Sequence, residues 1–204
     1  MRWVKYKQVI ENFFSLSILN ALNVLLPLVT LPYMLHVVGK ANYGAYSYVY
    51  AVVQYVILFS TYGFNFSATK QISQCRDDKE KVSKIYNAVT ASKTLIALSL
   101  SVLLLLCAKL VFKDGVGTLM FVYGLGMVVG DVLTPIWLFQ GMEKMKYMTI
   151  VNASSKILFT ILIFIVVRAS EDYQLLILLN SCGYLLAGVL SLILVCRQFH
   201  LRLH

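Results

Sequence analysis

Six apolar stretches run through this 204-residue chain and leave almost nothing from which to build a water-soluble core. The clearest are 95–112, 157–167 and 175–195. A helix needs about 17–25 mainly apolar residues to cross roughly 30 Å of hydrocarbon. In that medium a helix satisfies its own backbone polar groups, and a closed barrel is the alternative. Barrel strands alternate apolar and polar residues, whereas these runs are continuously apolar. The fold class that follows is an all-α membrane protein, a six-helix transmembrane bundle forming one domain over 1–204. Its spans are expected at about 15–36, 43–63, 89–112, 118–139, 149–167 and 174–195.

Charge supports that class and narrows the function. Only 13% of residues are charged, about half the share in a soluble domain. The net charge of +9 would suggest nucleic acid in a soluble protein. Here the basic residues are spread over short loops and form no single stripe, so nucleic acid is not an expected partner. They instead follow the positive-inside rule. Arg2, Lys5, Lys7, Lys70, Arg76, Lys79, Lys81, Lys84, Lys144, Lys146, Arg197 and Arg202 fall on one side, against Lys40, Lys109, Lys113 and Arg168 on the other. Both termini are therefore expected in the cytoplasm, and an even number of spans agrees by placing them on one side. The basic start followed by a long apolar run without a small-residue cleavage site predicts a retained signal-anchor. The longest connection, about 65–88, is expected to form one amphipathic helix along the inner surface. Its Ile72, Val82 and Ile85 look too sparse for a packed core.

No framework for metal or disulfide chemistry is evident. Cys107 and Cys182 lie in spans, and Cys75 and Cys196 lie in basic segments assigned to a reducing compartment. There is no CxxC pair. His36, His200 and His204 are far apart in sequence. No Walker loop, HExxH or nucleophile elbow occurs. The paired carboxylates Asp77-Asp78 and Glu171-Asp172 sit in loops. The expectation is transport, not catalysis, with no cofactor.

Polar residues recur within spans at helical spacing. In the first, Asn20, Asn23, Pro27 and Thr30 share a face. In the second, Tyr43, Ser47, Tyr50, Gln54 and Thr61 do, and in the sixth Asn180, Tyr184 and Ser191. Such stripes are consistent either with interhelical hydrogen bonding, worth about 0.6–2 kcal/mol per contact, or with a polar cavity, and three striped spans favour the cavity. Asn23, Gln54 and Tyr50 stand as candidate substrate contacts. Pro27 and Pro32 loosen the hydrogen-bond ladder of the first span, which allows a hinge, although membrane helices also tolerate prolines without any gating role. Gly126 and Gly130 suggest close helix packing.

Two ionisable residues lie deep. Asp131 and Lys156 are each about 10–12 Å from the cytoplasmic ends of the fourth and fifth spans, at ~1.5 Å per residue. They are expected to meet as an ion pair, which is either functional or a register device. Lys93, about one turn into the third span, is expected to snorkel to the surface. Lys93 and Lys156 together would give the cavity a positive potential.

Three motifs carry a family resemblance. Segment 135–147 reads PIWLFQGMEKMKY, segment 31–34 reads LPYM followed by VGKANYG at 38–44, and segment 62–70 reads YGFNFSATK. In this order they resemble the polysaccharide transport family, the O-antigen flippase (Wzx-like) branch of the multidrug/oligosaccharidyl-lipid/polysaccharide exporter superfamily. The resemblance implies a flippase of the bacterial inner membrane. It would move undecaprenyl-diphosphate-linked repeat units between leaflets by alternating access. Lys156 and Lys93 are then candidate cargo contacts, and Asp131 a candidate for ion coupling or for pairing with Lys156. Family members usually have about twelve spans in two lobes, so this sequence resembles the first lobe. It is expected to work with a second lobe or as a homodimer, in contact with membrane lipid and polysaccharide polymerase machinery. The alternatives are a cation-coupled drug exporter of the same fold, which would favour acidic cavity residues, and an inactive truncated membrane subunit.

Overall fold

A computed structural model describes residues 2–112 and 115–199, apart from the side chains of 2–9 and 116. The expected inner-side charges of Arg2, Lys5, Lys7 and Arg202, together with Lys113, His200 and His204, lie outside the residues or side chains described. The chain forms α1 (Arg2–Val37), α2 (Gly39–Thr61), α3 (Phe64–Gln74), α4 (Lys79–Val111), α5 (Val116–Val132), α6 (Ile136–Gly141), α7 (Met145–Val166) and α8 (Tyr173–Leu194). A 3₁₀ turn at Ser170–Asp172 precedes α8, and a π turn at Val195–Phe199 follows it. There is no strand among the described residues. Among the described residues, six helical segments are long and apolar enough to cross a membrane.

Local chemistry sets the boundaries. Asp78 caps α4, its carboxylate accepting from the Lys81 N–H at 3.1 Å. That N–H holds the exposed Asp78 carboxyl below its usual range. α2 ends at Tyr62 and Gly63, both at positive φ (29° and 77°), a conformation that glycine adopts without steric cost. α1 continues through Pro27 and Pro32 as one helix. α5 stops two residues short of Pro135, and the span resumes as the short α6.

Small residues let the backbones of α5 and α8 approach closely. A Cβ on Gly130 would lie 2.3 Å from the Tyr184 carbonyl carbon, and one on Gly126 2.9 Å from the Ser181 Cβ. Gly188 meets the Gly130 carbonyl oxygen in the same way, at 2.9 Å. The close packing expected of Gly126 and Gly130 is present. Around this seam lies the main core, where Val53, Met127, Leu176 and Ile177 are fully buried. α1 and α4 are the least covered spans. α1 packs mainly on α7 and leaves Phe13, Phe14, Val24, Leu28 and Val29 exposed.

The connection at 65–88 differs from expectation. It is not one surface helix. α3 and the first two turns of α4 flank a four-residue turn, and Ile72 and Val82 are buried. They belong to a second core with Tyr86, Trp137, Leu138, Phe139, Val195 and Phe199. The apolar partners missing from the connection come from α6 and the C-terminal turn, distant in sequence. Gly141 permits this packing, since a Cβ there would sit 2.7 Å from Ile72 Cγ2 and 3.1 Å from the Thr69 carbonyl.

Candidate functional site

A cavity of about 650 Å³ opens among α1, α2, α7 and α8, with the α5–α6 break also contributing to its lining. The two sides differ chemically. α2 and α8 supply aromatic and amide groups. Tyr43, Tyr46 and Tyr50 recur at i, i+3 and i+7, and their ring centroids are 5.8 Å apart at each step. Asn180 Nδ2 donates to the Tyr46 hydroxyl at 3.0 Å and to the Leu176 carbonyl at 2.9 Å. Gln54 Nε2 donates to the Tyr184 hydroxyl at 3.2 Å.

α7 supplies a cation and α1 an amide beside it. Lys156 sits in the middle of α7, is exposed, and lines the cavity. Its ammonium donates to Asn23 Oδ1 on α1. No ion pair is formed by Lys156 among the described residues. Pro27 lacks an N–H, so the Asn23 carbonyl has no i+4 donor there. A cation, a side-chain amide and a freed carbonyl thus share one turn of the cavity wall.

The expected pairing of Asp131 with Lys156 is not what the structure contains. Asp131 pairs with Lys93, whose Nζ lies 2.7 Å from Oδ2 and donates to the Asp131 backbone carbonyl at 2.9 Å. Lys93 does not snorkel; only 4% of it is exposed. The reason is the break in the fourth span. α5 ends at Val132, and the residue four on from Asp131 is Pro135, which has no N–H, so the Asp131 carbonyl keeps only a 3.2 Å backbone contact from the Thr134 N–H and lies at the negative end of the helix dipole. Lys93 answers both the carbonyl and the carboxylate. Its charge is neutralised inside the bundle, and it is not among the cavity-lining residues.

The other candidates divide. Asn23, Tyr50, Asp131 and Lys156 line the cavity, as do Tyr43, Ser47, Thr30, Asn180 and Tyr184 from the stripes. Gln54 does not line it and acts through Tyr184. Asn20 is exposed outside it. Thr61 bonds to its own helix at Ile57, and Ser191 is buried elsewhere. Sequence reasoning passed over Tyr46 and Asn152, both cavity-lining. The tyrosine spacing on α2 contained the signal for Tyr46. Asn152 had none, because a single amide in an apolar run has no periodic companion.

Comparisons with known proteins come from sequence. The family model described as "Polysaccharide biosynthesis protein" matches residues 9–204. An Escherichia coli K12 protein named "Putative O-antigen transporter" is 33% identical over 188 residues, 92% of this chain and 45% of that protein. A Shigella dysenteriae protein of the same name is 28% identical over 91% of this chain and 46% of its own length. The chain therefore spans about half the length of the curated relatives it matches. No solved structure matches.

Proposed function

Since this chain belongs to the polysaccharide biosynthesis protein family, we propose that its cavity is one half of a pathway carrying lipid-linked polysaccharide repeat units across a bacterial inner membrane. The observation that carries the reading is Lys156, a cation in mid-span facing the cavity with no carboxylate partner among the described residues. An unneutralised charge at that depth costs several kcal/mol unless hydrated or matched by an anion. The diphosphate of an undecaprenyl-linked oligosaccharide is an anion suited to it. The tyrosine and amide side of α2 and α8 offers flat apolar faces and hydrogen-bond donors to the attached sugars. The exposed apolar surface of α1 beside Lys156 offers a path for the prenyl chain. The names of the Escherichia coli and Shigella relatives support an O-antigen unit as the cargo class.

Alternating access and the inward orientation of both termini belong to the same proposal. So does completion of the cavity by a second six-span half, from a longer chain or a second copy. A cation-coupled drug exporter is disfavoured because the acidic residue at the cavity, Asp131, is already paired with Lys93.

Binding of undecaprenyl diphosphate bearing a repeat unit to the chain in nanodiscs tests the reading. Lys156→Met should weaken it by about 10–100-fold, the worth of one charge-assisted hydrogen bond (~1.5–3 kcal/mol). Lys156→Arg should largely preserve it. Unchanged binding in both Lys156→Met and Lys156→Glu would overturn the proposal.

A further inference from the structure

A second concavity lies at the end of the bundle where the α3–α4 turn, the α6–α7 loop and the C-terminal π turn converge. It encloses about 280 Å³, several times the ~30 Å³ share of one water. Arg76, Lys79 and Lys144 line it with Asp77, and Glu143 outside the lining pairs with Arg76, so Lys79 and Lys144 are the cations that join no ion pair among the described residues. Gln198 and Phe199 complete the wall. The three cations come from separate segments, and each is placed by its own contact or fold.

Arg76 is fixed by two interactions. Its Nε donates to the Gly141 carbonyl at 2.6 Å, and its Nη1 lies 2.6 Å from Glu143 Oε1. Lys144 lies 5.1 Å from the centroid of the Phe199 ring, within cation–π range. Phe199 is itself buried and packs edge-on to Phe139 at 5.8 Å. The π turn at Val195–Phe199 sets the register that delivers this ring; single π turns of this kind recur at functional sites. Lys79 opens α4 and takes part in none of the ion pairs among the described residues. Asp78, the neighbouring carboxylate, is occupied by the Lys81 N–H and Nζ.

We propose that this basic pocket binds the phosphate of an anionic phospholipid headgroup. It is separate from the Lys156 cavity and does not depend on the cargo assigned there. Basic pockets between membrane helices at the aqueous face suit phosphodiester headgroups, and each Lys near an anionic surface contributes about 1 kcal/mol. The pocket lies at the ends of the apolar spans and shares Val82, Met142 and Phe199 with the second core, the level at which a span of this length meets headgroups. Bound phosphate there would tie three separate segments of the chain together.

Native mass spectrometry of the whole chain released from phosphatidylcholine nanodiscs, with and without phosphatidylglycerol, tests this. Wild type should retain phosphatidylglycerol selectively. Lys79→Gln and Lys144→Gln should each weaken that retention by about fivefold, equivalent to ~1 kcal/mol, with helicity unchanged. Lys81→Gln, a neighbouring cation outside the pocket, should leave it intact. Equal retention of both lipids, or an equal loss in Lys81→Gln, would mean diffuse surface attraction and overturn the pocket. Inorganic phosphate separates the two sources of the same chemistry. Phosphate that fails to displace phosphatidylglycerol supports a lipid ligand. Displacement by phosphate, lost in the same two variants, would keep the phosphate site but assign it to a soluble ligand, overturning the lipid assignment.

Discussion

At the scale of single residues, the two deep lysines behave in opposite ways, and the difference is one of partners. Lys93 has a carboxylate and a helix-end carbonyl; Lys156 has an amide. Breaking a buried pair from one side leaves an uncompensated charge, at a cost of about 3–5 kcal/mol, whereas replacing both partners with apolar groups is often near neutral. Lys93→Met should therefore lower the unfolding midpoint in detergent sharply, and Lys93→Met with Asp131→Leu should restore most of it. A double variant as unstable as the single one would show that the carbonyl contact, not the ion pair, is the stabilising part. Lys156→Met should leave the midpoint near wild type and act on binding instead. Depth in the sequence was enough to single out Asp131 and Lys156, whereas Lys93 read as a shallow, snorkelling lysine. Depth did not identify the partners, because span spacing says which helices are neighbours in sequence and not which faces meet. The α5–α6 break that turns Asp131 and its carbonyl toward Lys93 depends on Pro135, which was visible but read only as part of a family motif.

At the scale of elements, the seam between α5 and α8 rests on backbone proximity. Without a hydrophobic drive inside the bilayer, helices associate through packing and hydrogen bonds, and small residues set the distance of approach. A Cβ on Gly130 would meet the Tyr184 backbone at 2.3 Å, an atom that cannot rotate away. Gly130→Ala should destabilise by about 1–3 kcal/mol or more, in the range of overpacking, and push α8 and its cavity residues Asn180 and Tyr184 outward. Gly44→Ala is the matched control. It lies in α2 with nothing within 4 Å of its Cβ position, and should be neutral or gain up to ~1 kcal/mol. Thermal unfolding of the two variants followed by circular dichroism measures the contrast. Gly126 and Gly130 were legible as a spacing of small residues; Gly188 on the facing helix was not, since nothing local pairs it with them. The second core was illegible for a similar reason. Ile72 and Val82 are sparse within their own segment and become a core only when Trp137, Leu138 and Phe139 are folded over them.

At the scale of the whole molecule, one end of the bundle gathers the α3–α4 turn, the α6–α7 loop and the C-terminal turn, with Arg76, Lys79, Lys81, Lys84, Lys144 and Arg197. The other end gathers the α1–α2 and α7–α8 connections, tied by Asn42 Nδ2 to the Ser170 carbonyl at 2.9 Å and by the Tyr33 hydroxyl to the Val167 carbonyl at 2.7 Å. Lys40 and Arg168 lie at this second end. The charge asymmetry read from sequence is thus an asymmetry between two structural ends, and retention of Lys and Arg in the cytoplasm sets orientation in short-loop proteins. Cys75 is half-exposed in the first end's turn, and Ser170 is exposed at the second. In a background lacking the other cysteines, Cys75 should react with a membrane-impermeant maleimide only after permeabilisation of spheroplasts. Ser170→Cys, in a background also lacking Cys75, should react in intact ones. The reverse pattern would invert the bundle and put the basic pocket on the outer face. Labelling of both sites from outside would break the six-span topology itself, because Cys75 and Ser170 are separated by an odd number of crossings.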